Sequence, residues 1–98
     1  MKRFHFHPEA LAEADAAAGF YDERRKGLGV RFVTEMTEAI ARIRMNPSIY
    51  RKVGSDVRKC RIEYFPYAIV FRARGKEVEI IAVMHLRREP GYWKRRLG

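Results

Sequence analysis

The chain lacks the cysteines that would cross-link it or hold a structural metal. It contains one cysteine in 98 residues. A single thiol cannot close a disulfide within the chain, and without a second cysteine it makes a poor metal site. Cys60 lies in an alternating apolar segment, so we expect a small buried hydrophobic side chain rather than a reactive thiol. The sequence predicts no metal and no cofactor.

Long apolar runs are missing as well. None approaches the ~20 residues that a membrane-spanning helix needs. Residues 4–8 alternate like a strand and do not carry the apolar stretch of a signal peptide. We therefore predict a cytoplasmic protein without a membrane partner. With 98 residues, of which 47% are hydrophobic, the chain is expected to form one domain over residues 1–98 with a single core.

Acidic residues are scarce in the second half of the chain. Residues 1–49 hold eight Lys or Arg and seven Asp or Glu, whereas residues 50–98 hold 13 and five. Nearly all of the net charge of +9 therefore lies in the C-terminal half. Such a charge attracts an acidic partner, which would be nucleic acid, an acidic protein or, least readily, a membrane surface.

A short strand and a first helix are predicted at the N-terminus. Phe4 and Phe6 alternate with histidines, which is the pattern of a strand. Pro8 suits the first turn of a helix, because its missing N–H needs no partner there. We predict this helix over about residues 8–25 and expect His7 to help cap its start.

A second helix is predicted over about residues 29–45. The break before it is Gly27-Leu28-Gly29, and Asn46-Pro47 ends it. The expected apolar stripes are Leu11, Ala14, Ala18 and Tyr21 on the first helix and Phe32, Val33, Met36, Ala39, Ile40 and Ile43 on the second. The short linker predicts an antiparallel helical hairpin.

From about residue 57 the apolar residues recur with a period of two, which predicts strands over 57–64, 67–73 and 77–85. The expected shared faces are Cys60, Ile62 and Tyr64 on the first of these strands and Val78, Ile80, Ala82 and Met84 on the last. Ile81 and Val83 on the opposite face indicate that the last strand is central. The order β-α-α-β-β-β predicts an α+β fold, with the helical hairpin packed on a small, twisted, mostly antiparallel sheet.

Short motifs follow one another in a characteristic order along nearly the whole chain. They are the His7-Pro8-Glu9-Ala10 start, the helix junction at residues 21–29, Arg42-Ile43 with Asn46-Pro47, Val57-Arg58 with Arg61, the Phe65-Pro66-Tyr67 turn, and the close from His85 through Arg87-Arg88 to Tyr92-Trp93. Together they resemble the RelE/ParE toxin superfamily, in its branch of plasmid stabilisation proteins. The resemblance implies a RelE/ParE-like fold. It also implies the toxin of a type II toxin–antitoxin pair, neutralised by a cognate antitoxin that wraps its surface.

The resemblance leaves the cellular target open, because some members of the superfamily inhibit DNA gyrase and others cut messenger RNA in the ribosome. In a nuclease, Arg61 would bind phosphate, His85 would move a proton, and Arg87 or Arg88 would hold phosphate bidentately. The lysine pair of the ribosome-dependent nucleases is not reproduced in residues 51–56. We therefore favour gyrase as the target, with a ribosome-dependent mRNA endoribonuclease as the alternative.

Four further residues are candidates for binding the target, namely Arg58, Arg88, Tyr92 and Trp93. Tyr92 would stack on a base, whereas Trp93 is also suited to anchoring the tail by packing. A histidine at the end of a strand, such as His85, is more often a half-buried hydrogen-bonding residue than a catalyst. A generic basic module remains as a further alternative, and it would show tight, salt-dependent binding to nucleic acid alone.

Overall fold

Two helices cover one face of a five-stranded sheet in the computed structural model, which describes residues 1–98. The elements are β1 (Arg3–Phe6), α1 (Pro8–Arg24), α2 (Leu28–Met45), β2 (Arg51–Lys52), β3 (Val57–Arg61), β4 (Tyr67–Arg74) and β5 (Glu77–His85). The sheet order is β1-β5-β4-β3-β2; β1 is parallel to β5 and all other pairs are antiparallel. The predicted α+β fold is confirmed. The last strand, β5, lies inside the sheet between β1 and β4, as predicted. The short strand β2 was not predicted.

Local sequence signals begin and join the two helices. The Nδ1 atom of His7 accepts a hydrogen bond from the backbone N–H of Glu9 at 3.1 Å, which confirms the predicted cap of α1. At the junction Gly27 has a φ of 89°, a left-handed conformation that glycine adopts without steric cost. One carboxylate oxygen of Asp22 accepts hydrogen bonds from the N–H groups of Gly27 and Gly29, at 2.9 and 3.3 Å. A Cβ at Gly29 would collide with the backbone of α1, so glycine permits the close approach of the helices.

The helix α1 contacts the sheet through alanines rather than through its larger apolar residues. Ala10, Ala14 and Ala17 are at most 3% exposed, whereas Leu11 of the predicted stripe is 46% exposed. In α2 the predicted stripe is buried apart from Val33, which is 42% exposed. Small side chains on α1 let the helix backbone lie close to β5, because the side chains at the contact set the packing distance.

A bulge reverses the faces of β5 half-way along its length. The register places Phe71 opposite Ile80 and its neighbour Val70 opposite Ala82, so Ile81 has no partner of its own. Because side chains alternate across a strand, one extra residue moves all later side chains to the other face. The predicted single face is therefore wrong: Val78 and Ile80 pack under the helices, whereas Ala82 and Met84 pack on the opposite face.

The strand β3 is shorter than predicted, because the chain turns after Arg61. The N–H of Ile62 donates a hydrogen bond to the carbonyl oxygen of Tyr67 at 2.9 Å and closes this turn. Within the turn Tyr64 has a φ of 69° and is 77% exposed. The prediction that Tyr64 faces inward is therefore wrong. Its ring instead lies against the guanidinium of Arg31, at 4.4 Å.

The C-terminal tail, residues 86–98, covers the sheet face opposite the helices, which we call the tail face. Trp93 is 3% exposed and packs there in a second buried cluster. The other members of this cluster are Val57, Ala68, Val70, Ile81, Ala82 and Met84. A short 3-10 turn, Lys94–Leu97, ends the tail. The sheet is thus buried on both faces.

Cys60 lies in the larger core between the helices and the sheet. Its side chain is 3% exposed, which confirms the predicted small buried hydrophobe. Burial in apolar surroundings raises the pKa of its thiol, because the thiolate would lose its hydration there. The fold therefore keeps this cysteine in its unreactive form.

Candidate functional site

The sheet separates two of the residues predicted for nuclease chemistry. Arg61 lies opposite Ala68, whose side chain belongs to the tail face. His85 lies opposite Tyr67, which packs on the helix side. Since directly opposite residues place their side chains on the same face, Arg61 and His85 emerge on opposite faces of the sheet. The strand β4 lies between them, which puts their backbones about 10 Å apart.

His85 is half-buried in a groove between α1 and β5. Its Nδ1 atom accepts a hydrogen bond from the backbone N–H of Arg87 at 3.0 Å, so Nε2 is the nitrogen left for another group. The ring of Tyr67 meets the His85 ring edge-on, with 5.1 Å between the centroids. The side chain of Arg87 is exposed. These contacts agree with the hydrogen-bonding role for His85. Of the predicted arginines, Arg88 lines the same groove as His85, whereas Arg61 lies on the other face of the sheet.

Arg58 does not join the other predicted target-binding residues. It lies opposite Phe71, on the helix side of the sheet, and is half-buried. Its guanidinium donates a hydrogen bond to the carbonyl oxygen of Tyr50 at 2.8 Å. Arg58 therefore holds the loop before β2, away from the tail that carries Arg88 and Tyr92.

Arg88 and Tyr92 come together at a carboxylate that the sequence analysis did not single out. Glu13 of α1 accepts hydrogen bonds from the Tyr92 hydroxyl at 2.8 Å and from the Arg96 guanidinium at 2.8 and 3.0 Å. Arg88 lies 3.9 Å from the same carboxylate, and its guanidinium stacks on the Tyr92 ring at 3.8 Å. We call Glu13, Arg88, Tyr92 and Arg96 the Glu13 cluster. It fastens the tail to α1.

The Glu13 cluster also covers an unpaired part of a strand edge. The strand β1 pairs with β5 only as far as Ile80. Beyond that point the Glu13 carboxylate accepts a hydrogen bond from the N–H of Val83 at 3.0 Å. Arg96 donates to the carbonyl oxygen of Ile81, also at 3.0 Å. Side chains thus satisfy backbone groups that would otherwise form an open edge.

Burial and charge pairing shift the ionisation of several tail residues. Burial, reinforced by the hydrogen bond to Glu13, raises the pKa of the Tyr92 phenol well above its usual value. The same carboxylate raises the pKa of Arg96, whose side chain is only 4% exposed. Nearby on the surface, Arg95 donates hydrogen bonds of 2.7 and 2.9 Å to Glu9 and lowers the pKa of that carboxyl. The tail is therefore held by charge-assisted hydrogen bonds to α1.

The buried position of Trp93 agrees with the packing alternative for this residue. It has almost no surface to offer a target, because only 3% of the residue is exposed. The indole contributes instead to the covering of the tail face, where burial of a large aromatic side chain is strongly stabilising.

A group of cations without carboxylate partners lies on the tail face. Arg51 stands opposite Lys59 in the β2–β3 register, so both side chains share one face. Arg61 follows two residues after Lys59 on that face, and Lys94 reaches it from the tail. None of the four forms an ion pair within 4.0 Å. We call Arg51, Lys59, Arg61 and Lys94 the basic rim. Like charges placed directly opposite repel one another and destabilise the strand pair.

A pattern in the sequence indicates the Glu13 cluster, although it was not among the predicted sites. Glu9 and Glu13 are four residues apart on a helix and therefore lie on the same side of it. Both face the tail, where the consecutive Arg95 and Arg96 bind them. An acidic pair at helical spacing together with a C-terminal basic run is thus the pattern of a tail fastened to a helix.

One known family matches most of the chain. The family described as "ParE toxin of type II toxin-antitoxin system, parDE" matches residues 4–90. The chain belongs to this family. Among solved structures, one titled "Chromosomal ParDE TA system from P. aeruginosa" superposes with a TM-score of 0.75 at 20% sequence identity. The match covers 87% of this chain and 96% of that chain, and it shows the fold. Among curated proteins none matches the sequence.

As a ParE-family toxin, the protein is the toxin component of a type II toxin–antitoxin system, and an antitoxin is its partner. The predicted membership of the RelE/ParE superfamily is confirmed. The matched residues 4–90 include Arg58, Arg61, His85 and Arg88, whereas Tyr92 lies beyond them. No helix of the ParE-family toxin is long and apolar enough to cross a bilayer.

Proposed function

We propose that this ParE-family toxin arrests growth by inhibiting DNA gyrase and that a cognate antitoxin relieves the arrest. Family membership supports the role of the protein as a toxin and an antitoxin as its partner. The choice of gyrase over messenger RNA is supported above all by one observation, the position of Arg61 and His85 on opposite faces of the sheet.

A ribonuclease needs its functional groups on one surface. Attack by a 2′-hydroxyl requires a proton acceptor, a proton donor for the leaving oxygen, and cations around the same phosphate. The acid and base must come within about 3 Å of the atoms they serve. In this fold Arg61 belongs to the basic rim on the tail face, whereas His85 opens into a groove beside α1. A phosphate held at the basic rim would lie beyond the reach of the His85 ring.

An inhibitor that acts by binding needs a preorganised surface instead of an acid–base pair. The Glu13 cluster supplies one, because Glu13 holds Arg88 and Tyr92 in a fixed stack. Arg88 remains 53% exposed and is available to a partner. Arginine and tyrosine are among the residue types that contribute most to protein–protein binding energy. We therefore place the gyrase contact at Arg88 and Tyr92.

The test combines induced expression with a purified assay. Induction should arrest growth and change plasmid supercoiling while transcripts stay intact, and the purified toxin should inhibit supercoiling by gyrase. Arg88→Ala should weaken this inhibition roughly tenfold or more, since it removes a fixed arginine contact. Arg61→Ala and His85→Ala should leave the inhibition unchanged. Arg74→Ala is the matched control. Arg74 is also an exposed arginine paired with a carboxylate, that of Asp56, but it lies at the end of β4 far from Arg88 and Tyr92.

Two outcomes would redirect the proposal. Cleaved transcripts that disappear with His85→Ala or Arg61→Ala would establish the nuclease alternative. Salt-sensitive binding to nucleic acid without growth arrest would favour the generic basic module. Arrest that persists when the antitoxin is co-expressed in soluble form would contradict the partnership.

A further inference from the structure

A pocket on the tail face joins an apolar floor to the basic rim. It has a volume of 180 Å³ and lies between β3 and the turn that begins the tail. Its apolar lining is Val53, Val70, Met84 and Trp93. Lys59 and Lys94 stand at its polar side. Neither the Glu13 cluster nor the groove at His85 shares any of these residues.

We propose that this pocket is the anchor site for an acidic peptide segment that inserts one bulky apolar side chain. The apolar side chain would occupy the pocket between Met84 and Val70, and flanking carboxylates would pair with Lys59 and Lys94. The inference rests on the proposed function in one respect, since the neutralising antitoxin is the expected source of such a segment.

The charge of the pocket supports an acidic occupant. Arg51 and Lys59 face each other across β2 and β3, and no carboxylate of the chain lies within 4.0 Å of either. Asp56 is the one acidic residue between β2 and β3. Its carboxylate already accepts two hydrogen bonds from Arg74, of 3.0 and 3.1 Å. The repulsion within this ladder is unrelieved inside the chain, so an external anion gains affinity from relieving it.

The turn before Trp93 directs a lysine towards the pocket. Gly91 has a φ of 78°, a conformation that favours glycine, and a Cβ there would press on the aliphatic part of Lys94. The Lys94 side chain therefore lies along the turn, at the pocket entrance. It stays exposed and without an ion pair, and it can meet a carboxylate without first breaking another contact.

The apolar lining favours a peptide over a nucleic acid. Proteins that bind single strands stack successive bases on exposed aromatic side chains. The pocket offers aliphatic and thioether groups, and the ring of Trp93 is almost wholly buried. Tyr92 on the same tail is already stacked against Arg88 and bonded to Glu13. A leucine or similar side chain fits such a lining, because burying it removes apolar surface from water on both partners.

The experiment uses the full chain and two synthetic peptides. The first is a nonapeptide of glutamates around one central leucine, and the second has glycine in place of the leucine. Binding is followed through the fluorescence of the chain's single tryptophan, which lines the pocket. The leucine peptide should bind, and the glycine peptide should bind about tenfold to a hundredfold more weakly. Lys59→Glu and Lys94→Glu should each lower the affinity for the leucine peptide about tenfold, because each places a negative charge beside the glutamates of the peptide.

The matched control is Lys76→Glu, which makes the same change in net charge at the exposed turn between β4 and β5. It should leave peptide binding nearly unchanged. Absence of binding, equal binding of the two peptides, or equal effects of Lys59→Glu and Lys76→Glu would overturn the inference. So would an oligouridylate RNA that binds more tightly than the leucine peptide and depends on the same two lysines. Gyrase inhibition is measured separately, so a negative result on either side leaves the other result standing.

Discussion

Replacing Glu13 with alanine should release the C-terminal tail before the rest of the domain unfolds. The Glu13 carboxylate accepts hydrogen bonds from Tyr92, from Arg96 and from the N–H of Val83. Alanine at this position removes all of these acceptors at once. It leaves Arg96, whose side chain is 4% exposed, without its nearest counter-ion.

The size of the effect follows from the burial of the pair. Removing one partner of a buried ion pair costs about 3–5 kcal/mol, because the remaining charge is no longer compensated. Arg96 keeps two weaker contacts after the change, the Ile81 carbonyl at 3.0 Å and Glu9 at 3.8 Å. Glu13 is also 18% exposed, so water can partly replace it. We therefore expect a loss near the lower end of the range, about 3 kcal/mol.

Urea unfolding with two probes checks this expectation. Far-UV circular dichroism follows the helices, and the fluorescence of Trp93 follows the tail. In the unaltered protein the two transitions should coincide, as in a two-state domain. In Glu13→Ala the fluorescence transition should move to lower urea than the dichroism transition. Glu9→Ala is the matched control, because it removes a carboxylate one turn earlier whose partner Arg95 is exposed. A Glu13→Ala variant no less stable than Glu9→Ala would refute the reasoning.

Three further outcomes are expected. Ile80→Ala should lower the free energy of unfolding by about 2–5 kcal/mol, because the side chain is fully buried under the helices; a loss below about 1 kcal/mol in chemical denaturation would contradict this placement. The buried Cys60 should react with a thiol reagent only as fast as the protein unfolds, and rapid labelling of the native protein would argue against the packing. The hydrogen bond from Arg95 lowers the folded-state pKa of Glu9 below 4.5, so its stabilising contribution is present above pH 4.5 and is lost as the pH falls through the folded-state value. A carboxyl titration by NMR should show the Glu9 midpoint rising in Arg95→Gln, and an unchanged midpoint would count against the pairing.

Periodicity, together with capping and helix-breaking residues, was sufficient for the helices and for most of the strands. The cap at His7, the break at Gly27 and the start of β4 at Tyr67 were all predicted close to their observed positions. These features depend on residues near one another in the chain, because capping, glycine conformation and alternation are local effects. The predicted α+β class followed, since the two periods imply one layer of helices on one sheet.

Local patterns could not reveal the bulge at Ile81 or the early end of β3 at Arg61, which leaves Tyr64 in the turn. Both depend on partners from other elements: β4 sets the register of β5, and a hydrogen bond from Ile62 to Tyr67 ends β3. A one-residue irregularity reverses every later side chain, and no change in composition accompanies it. The prediction that Met84 shares a face with Ile80 was wrong for this reason.

The sequence by itself determined the element order, the core stripe of α2, the concentration of positive charge in the second half and the resemblance that led to the ParE toxin family. Only the tertiary structure decided which charged residues meet. It separated Arg61 from His85 by placing their strands on either side of β4, and it brought Glu13 to Tyr92 across 79 positions of sequence. The reason is physical: periodicity reports which face a residue takes within its own element, whereas strand order and the path of the tail decide which faces are brought together.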